Sequence, residues 1–303
     1  MFAPPFLPVF LDGRFGYIDR RGELVIRPQF SFAGMFEEGR AVVGQDCCFG
    51  YIDRDGHVVV DCTYDEAGPY CNGVAAVCQG GLFCLVDGTG TPLFPPLYET
   101  LTCPACGLAL ASLDDKFGFV GPSGEVRLPL VFDDASPLDV AGWAHVVLGE
   151  EAYFIDTEGG CVLRPDVPAV EPFYEGLAAA CDGSRWGYLD RAGRWSIPPQ
   201  YDGAKPCGDG LLAVSGEGVW GFVDRRGQPA IPFRFDNVTP FEGGLAWACT
   251  SEAWSVIDVS GRNVLPYSFP DAGRLVLGNI LQVEWEPGNW GYVSLDGHAI
   301  WRA

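Results

Sequence analysis

The stretch Phe15–Phe30, FGYIDRRGELVIRPQF, decides the fold because it comes back along the chain. It returns as FGYIDRDGHVVVDCTY from Phe49, WGYLDRAGRWSIPPQY from Trp186 and WGFVDRRGQPAIPFRF from Trp220. Weaker copies begin at Phe83, Phe117, Ala152, Trp254 and Trp290, so nine starts are spaced 34, 34, 34, 35, 34, 34, 34 and 36 residues apart. A fixed period of this length marks an array of supersecondary units, each unable to bury its own apolar face alone.

The positions within a copy explain themselves by backbone chemistry. Counting the aromatic start as position 0, position 7 is glycine in all nine copies, from Gly22 to Gly297, and seven copies place Asp three residues earlier, as at Asp19, Asp53, Asp190 and Asp224. An Asp side chain accepts backbone N–H groups inside a turn and Gly tolerates positive φ, so D-x-x-G reads as a hairpin turn. The flanking runs GYID and ELVI read as two paired strands. Pro28, Pro95, Pro129, Pro165, Pro198, Pro232 and Pro266 then remove a ladder donor, which predicts the end of the second strand. The aromatic at position 15, such as Phe30, Tyr64 or Tyr201, is expected to open a short third segment. That segment runs to FEEG or FEGG, and a fourth strand such as RAVV (40–43) or LLAV (211–214) leads into the next aromatic-Gly pair. At that pair, the ring is expected to stack on a neighbouring unit in the room that Gly leaves.

The pattern W-G-[YF]-[IV]-D-x-x-G-x-x-x-I-x-P-x-[YF]-[DE], followed by F-x-x-G-x-A-x-V, resembles the bacterial WG-repeat (KWG) family over essentially the whole chain. The resemblance implies a β-rich repeat and brings no catalytic residue with it. Ala152–Tyr153, Phe83–Cys84 and Trp254–Ser255 depart from the pattern.

The sequence therefore predicts an all-β repeat protein of about nine 34-residue four-strand units. A closed β-propeller is the first choice and an open, curved β-solenoid the alternative, since the blades are short. Residues 1–303 read as one domain, with units starting near 15, 49, 83, 117, 152, 186, 220, 254 and 290. Segments 1–14 and 290–303 are expected to complete one split unit, with Phe2 falling where Phe36 and Tyr70 fall. The opening MFAPPFLPVFLDGR lacks the basic start of a signal peptide and carries three prolines, so it reads as structure. No segment approaches the roughly 20 apolar residues of a membrane-spanning helix.

Chemistry has few footholds. His57 and His298 follow turn glycines, His145 lies in a strand, and none stands at a motif spacing from a nucleophile. The CPACG stretch holds Cys103 and Cys106 but no second ligand pair for zinc, and it occupies a turn position rather than a helix start. Each D-x-x-G turn offers one Asp where calcium wants six to eight oxygens. We therefore expect no cofactor and no enzyme. The twelve cysteines recur at scattered positions, which favours free thiols in a cytoplasm. The excess of Arg over Lys (19 basic residues, of which only Lys116 and Lys205 are Lys) suggests a GC-rich bacterial genome.

Charge carries most of the functional signal. Forty acidic against nineteen basic residues give a formal charge of −21, which disfavours nucleic acid and favours a partner with a basic surface. In a meander, the loops between the fourth strand and the next aromatic-Gly share a face with the loops after position 15. The first set contains Asp114, Asp115, Glu150, Glu151, Glu217 and Glu252; the second contains Asp65, Glu99, Asp133, Asp202 and Asp236. The six acids of the first set are the candidate partner-binding residues. The sequence thus predicts a non-enzymatic protein-binding scaffold of immunity or adaptor type. The alternative is an enzyme or small-ligand binder with a site in a central channel.

Overall fold

The computed structural model describes residues 6–302, and every regular element in them is a β-strand. Phe2 lies outside the described residues. The strands form nine small antiparallel sheets in chain order. The second sheet is typical, with strands Phe32–Glu37, Arg40–Gln45, Cys48–Ile52 and Val58–Tyr64 joined as a meander. This is the all-β class of the nine-bladed β-propeller, each sheet being one blade. Backbone contacts divide the chain into two compact units, residues 1–162 and 163–303. Sheets one to four lie wholly in the first, sheets six to nine wholly in the second, and the fourth strand of sheet five, Cys161–Leu163, falls at the boundary.

The blades are out of phase with the sequence repeat. A sheet begins after position 15, so the last two strands predicted for one copy pair with the first two of the next: Arg40–Gln45 pairs with Cys48–Ile52 through Gln45↔Cys48. The position-15 aromatic closes a strand instead of opening one, since Phe30 sits opposite Phe15, Tyr64 opposite Phe49, Tyr201 opposite Trp186 and Phe235 opposite Trp220. Pro28, Pro129, Pro198 and Pro232 do not end the strand either, whereas Pro165 does follow the end of Cys161–Leu163. Tyr17 faces Ile26 and Phe15 faces Phe30, so three residues on one strand answer Gly16 alone on the other. Pro28 rides in this bulge, where the ladder needs no donor.

That bulge also corrects the expected role of the glycine. A Cβ on Gly16 would lie 2.5 Å from the Ile26 carbonyl oxygen, on Gly50 2.4 Å from that of Val60, and on Gly187 2.5 Å from that of Ile197. The space left by Gly is filled by the bulged strand of its own sheet, not by a ring from the neighbouring one. The three departures from the pattern bear this out. Sheets three and eight, with Cys84 and Ser255 in place of Gly, keep their fourth strand only as isolated bridges, Phe83↔Tyr98 and Trp254↔Phe269. Sheet five, with Tyr153 there, has a fourth strand of only 3 residues.

The second and third strands are buried on both faces, which explains their runs of small and apolar residues. Ala109, Ala111, Ala178, Ala180 and Ala213 are fully enclosed, and their small side chains let neighbouring sheets approach. The largest enclosed side chain is the aromatic at position 2, as in Tyr17, Tyr51, Phe119, Tyr188 and Phe222. Its hydroxyl, where present, ties one sheet to the next: Tyr17 donates to Gly34 O at 2.9 Å, Tyr51 to Gly68 O at 2.8 Å and Tyr188 to Lys205 O at 2.8 Å. Apolar clusters accordingly run between successive sheets, one joining Tyr17, Phe30, Ala41 and Ile52, another joining Phe222, Ile231, Phe241 and Ala248.

Candidate functional site

Five of the six candidate acids stand in the turn between the second and third strands of their blades, and Glu151 opens the third strand directly after it. Asp114 and Asp115 link Ala109–Leu113 to Lys116–Val120, and Glu150 lies with Gly149 in the equivalent turn one sheet later. Glu217 and Glu252 repeat the position in sheets seven and eight. These are two-residue hairpin turns that require left-handed backbone, with φ of 53° at Asp114, 58° at Asp115, 53° at Glu217 and 65° at Glu252. Asp tolerates that region better than most side chains, so part of the acidity has a conformational cause.

Acids of the second set sit directly beside these turns and hold them. The carboxylate of Asp65 accepts Gly80 N at 2.6 Å, Asp133 accepts Gly149 N at 2.6 Å, Asp202 accepts Glu217 N at 2.7 Å and Asp236 accepts Ser251 N at 2.7 Å. The two loop sets therefore share one edge of each sheet, as the meander requires. Two of the holding carboxylates are neutralised locally, Asp133 by Lys116 and Asp202 by Arg185. The Lys116 side chain first, then Gly149 N, keeps the Asp133 carboxyl below the usual carboxylate range. By contrast, the carboxylates of Asp114, Asp115, Glu150 and Glu217 make no ion pair or hydrogen bond among the described residues. The division of labour is plain at the turns held by Asp133, Asp202 and Asp236, where one acid is used by the fold and the neighbouring Glu150, Glu217 or Glu252 stands in the turn itself.

The opposite edge is built differently. In the D-x-x-G turns, Asp19 Oδ1 accepts Arg21 N at 2.8 Å and Glu23 N at 2.9 Å, and Asp190 Oδ1 accepts Ala192 N and Arg194 N at 2.9 Å each. Backbone donors, the Arg194 N–H foremost, hold the Asp190 carboxyl low. The turns between first and second strands are roped to one another. Glu38 takes Asn72 N and Gly73 N at 2.8 Å each, and Glu175 takes Asp209 N and Gly210 N at 2.9 Å each. Nothing in the sequence pattern marks these glutamates apart from their exposed neighbours. Their recurrence one residue before the turn glycine is the only signal available.

The remaining candidates are dispersed. His145 packs against Phe154 with ring centroids 5.2 Å apart, and its backbone N–H donates to Ser136 Oγ. Asp53, Asp55 and His57 place three ligand atoms within 4.8 Å of one another, but Asp53 Oδ1 already accepts both Asp55 N and His57 N. Cys103 and Cys106 occupy a first-to-second-strand turn, as expected, and Cys106 Sγ donates to Asp139 O at 3.4 Å. A cavity of about 560 Å³ in the second unit is lined by Tyr174, Phe241, Glu242, Trp247 and Arg274. No helix among the described residues is long and apolar enough to cross a membrane.

A blade array with rigid sheets and variable, charged turns defines a repeat β-propeller scaffold, an architecture that fits a protein-binding role. The model of the WG-containing repeat matches seven segments, residues 15–46, 49–83, 85–117, 117–150, 154–186, 186–218 and 220–251, and the chain belongs to that family. No curated protein matches the chain. Among solved structures, one described as the eukaryotic initiation factor is 8% identical with a TM-score of 0.69, covering 100% of this chain and 96% of its own. The computationally designed Ika8 protein is 12% identical with a TM-score of 0.55, covering 86% of this chain and 94% of its own. At these identities the likeness concerns the fold alone.

Proposed function

We propose that the protein is a non-enzymatic scaffold that binds a protein with a basic surface through its second-to-third-strand turns, acting as an immunity or adaptor protein in a bacterial cytoplasm. The observation that carries this reading is the unneutralised set Asp114, Asp115, Glu150 and Glu217, held in tight two-residue turns while the neighbouring Asp133 and Asp202 are used by the fold itself. Rigid turns present these carboxylates with little ordering cost on binding. A formal charge of −21 draws a cationic partner and repels nucleic acid.

The test begins with capture of the partner from the source cell. Its association is then measured with a variant in which Asp114, Asp115, Glu150 and Glu151 are all changed to Lys. Association at low salt should slow well beyond tenfold while the circular-dichroism spectrum of the fold stays the same. A captured partner that binds this variant at an unchanged rate, or that docks on the D-x-x-G edge, overturns the reading.

A further inference from the structure

Cysteine 103 was singled out with Cys106 by the C-P-A-C spacing, yet its thiol faces another residue. The Cys103 Sγ–H points at the carbonyl oxygens of Cys71, 3.6 Å away, and Val74, 3.8 Å away. Those two residues form the backbone bridge of the equivalent turn in the preceding sheet, with Cys71 N donating to Val74 O at 2.8 Å. The Cys103 sulfur therefore lies against the backbone of Cys71 itself. Cys106, meanwhile, turns to the following sheet and donates to Asp139.

The neighbourhood holds the pair in place. Glu38 clamps the two N–H groups that follow Cys71, and the Asn72 side-chain amide donates to Pro104 O at 3.1 Å and to Cys71 Sγ at 3.4 Å. Both turns are therefore fixed on either side of the two sulfurs, and both thiols are half-buried, open enough for a small reagent.

We propose that Cys71 and Cys103 form a dithiol site that a low-molecular-weight disulfide such as oxidised glutathione converts to a disulfide, stapling the third sheet to the fourth. The Cys71 thiolate attacks one sulfur of the small disulfide and expels one thiolate, giving a mixed disulfide. Cys103, after losing its proton to solvent, attacks the Cys71 sulfur and expels the second thiolate. Two protein thiols are oxidised and one small disulfide is reduced to two thiols, so electrons and protons balance. Burial foremost, then the Cys71 side chain and the Glu38 charge, pushes the Cys103 thiol up to about 12. The second step is therefore the slower one, so the mixed disulfide on Cys71 comes first and the protein disulfide replaces it on longer incubation. The rope of turn-to-turn hydrogen bonds running from Glu38 through Asn72 to Pro104 gains a covalent link at its middle.

The site is tested on the reduced full-length protein, incubated with oxidised glutathione, alkylated with iodoacetamide and cleaved at Asp and Glu. Mass spectrometry with fragment assignment should find the Cys71 peptide joined to the Cys103 peptide in most molecules. The linked species should vanish in Cys71→Ser and Cys103→Ser and persist in Cys106→Ser. Linkage of Cys103 to Cys106, a persistent glutathione adduct on either thiol, or an alkylated Cys103 in the wild-type protein would each overturn the proposal, and the wild-type map decides even if a variant fails to fold.

Discussion

Two neighbouring positions of the repeat share the work that the tryptophan-glycine pair alone was expected to do. The ring at position 0 is only half-buried: Trp220 lies under Lys205, whose Nζ is 4.8 Å from the ring centroid, and Trp290 is exposed. The ring at position 2 is enclosed, and Phe222 stands against Phe241 of the next sheet with centroids 4.8 Å apart. Alternation along a strand hides this from the sequence, because a second and third strand covered on both faces bury consecutive residues and leave no period-two signal. Phe222→Ala should cost about 3 to 5 kcal/mol in denaturant unfolding, as large-to-small changes in a sealed core do. Trp220→Ala, which removes a ring already partly in water, should cost roughly half as much by the area it buries. Equal losses at the two positions would place the inter-sheet load on the outer ring after all.

Within a single blade, the strands and turns were legible and their grouping was not. The period reports every hairpin, since D-x-x-G and the apolar runs are local chemistry, but any cyclic shift of a repeat has the same period. Only the pairing of Arg40–Gln45 with Cys48–Ile52 and of Phe30 with Phe15 places the blade boundary after position 15. The same limit applies to Glu38 and Glu175, whose role no local pattern reveals. Their partners lie 34 and 35 residues away, beyond any local pattern. Glu175 is the informative case. Burial raises its carboxyl, but Gly210 N, the Cys207 thiol, Asp209 N and Arg225 together bring it below the usual range. A depressed carboxyl stabilises the fold above its unfolded value of about 4.3 and loses that contribution as pH falls through the folded value. Glu175→Ala should thus lower the urea midpoint at pH 7 by a few tenths of a molar, the scale of a largely exposed ion pair. The gap between variant and wild type should close as pH falls below the unfolded value and through the depressed folded one. Glu171→Ala, four residues earlier in the same connection and on an exposed side chain, should leave the midpoint where it is, and a gap at Glu175 that persists into acid would mean packing rather than charge is at stake.

Across the whole chain, charge is the property that the fold organises least symmetrically. Acids at the second-to-third-strand turns outnumber the local cations Lys116 and Arg185 that pair with Asp133 and Asp202. With a formal charge of −21, mutual repulsion opposes the compact state over distances set by the Debye length, about 30 Å at 0.01 M salt and about 8 Å at 0.15 M. Exposed ion pairs lose strength over the same range, but each contributes only about 0 to 1 kcal/mol, so relief of repulsion should win. The melting temperature is therefore expected to rise between 0.01 and 0.15 M sodium chloride. Changing Asp114, Asp115, Glu150 and Glu151 to Lys alters the charge by two at each site, so −21 becomes −13. If the repulsion is concentrated at these turns, that variant should start at a higher melting temperature in low salt and rise less on adding it. A wild-type melting temperature that stays flat with salt, or a variant that climbs as steeply, would show that the carboxylates are too well solvated to feel one another, and the turns would then lack the field needed to steer a cationic partner.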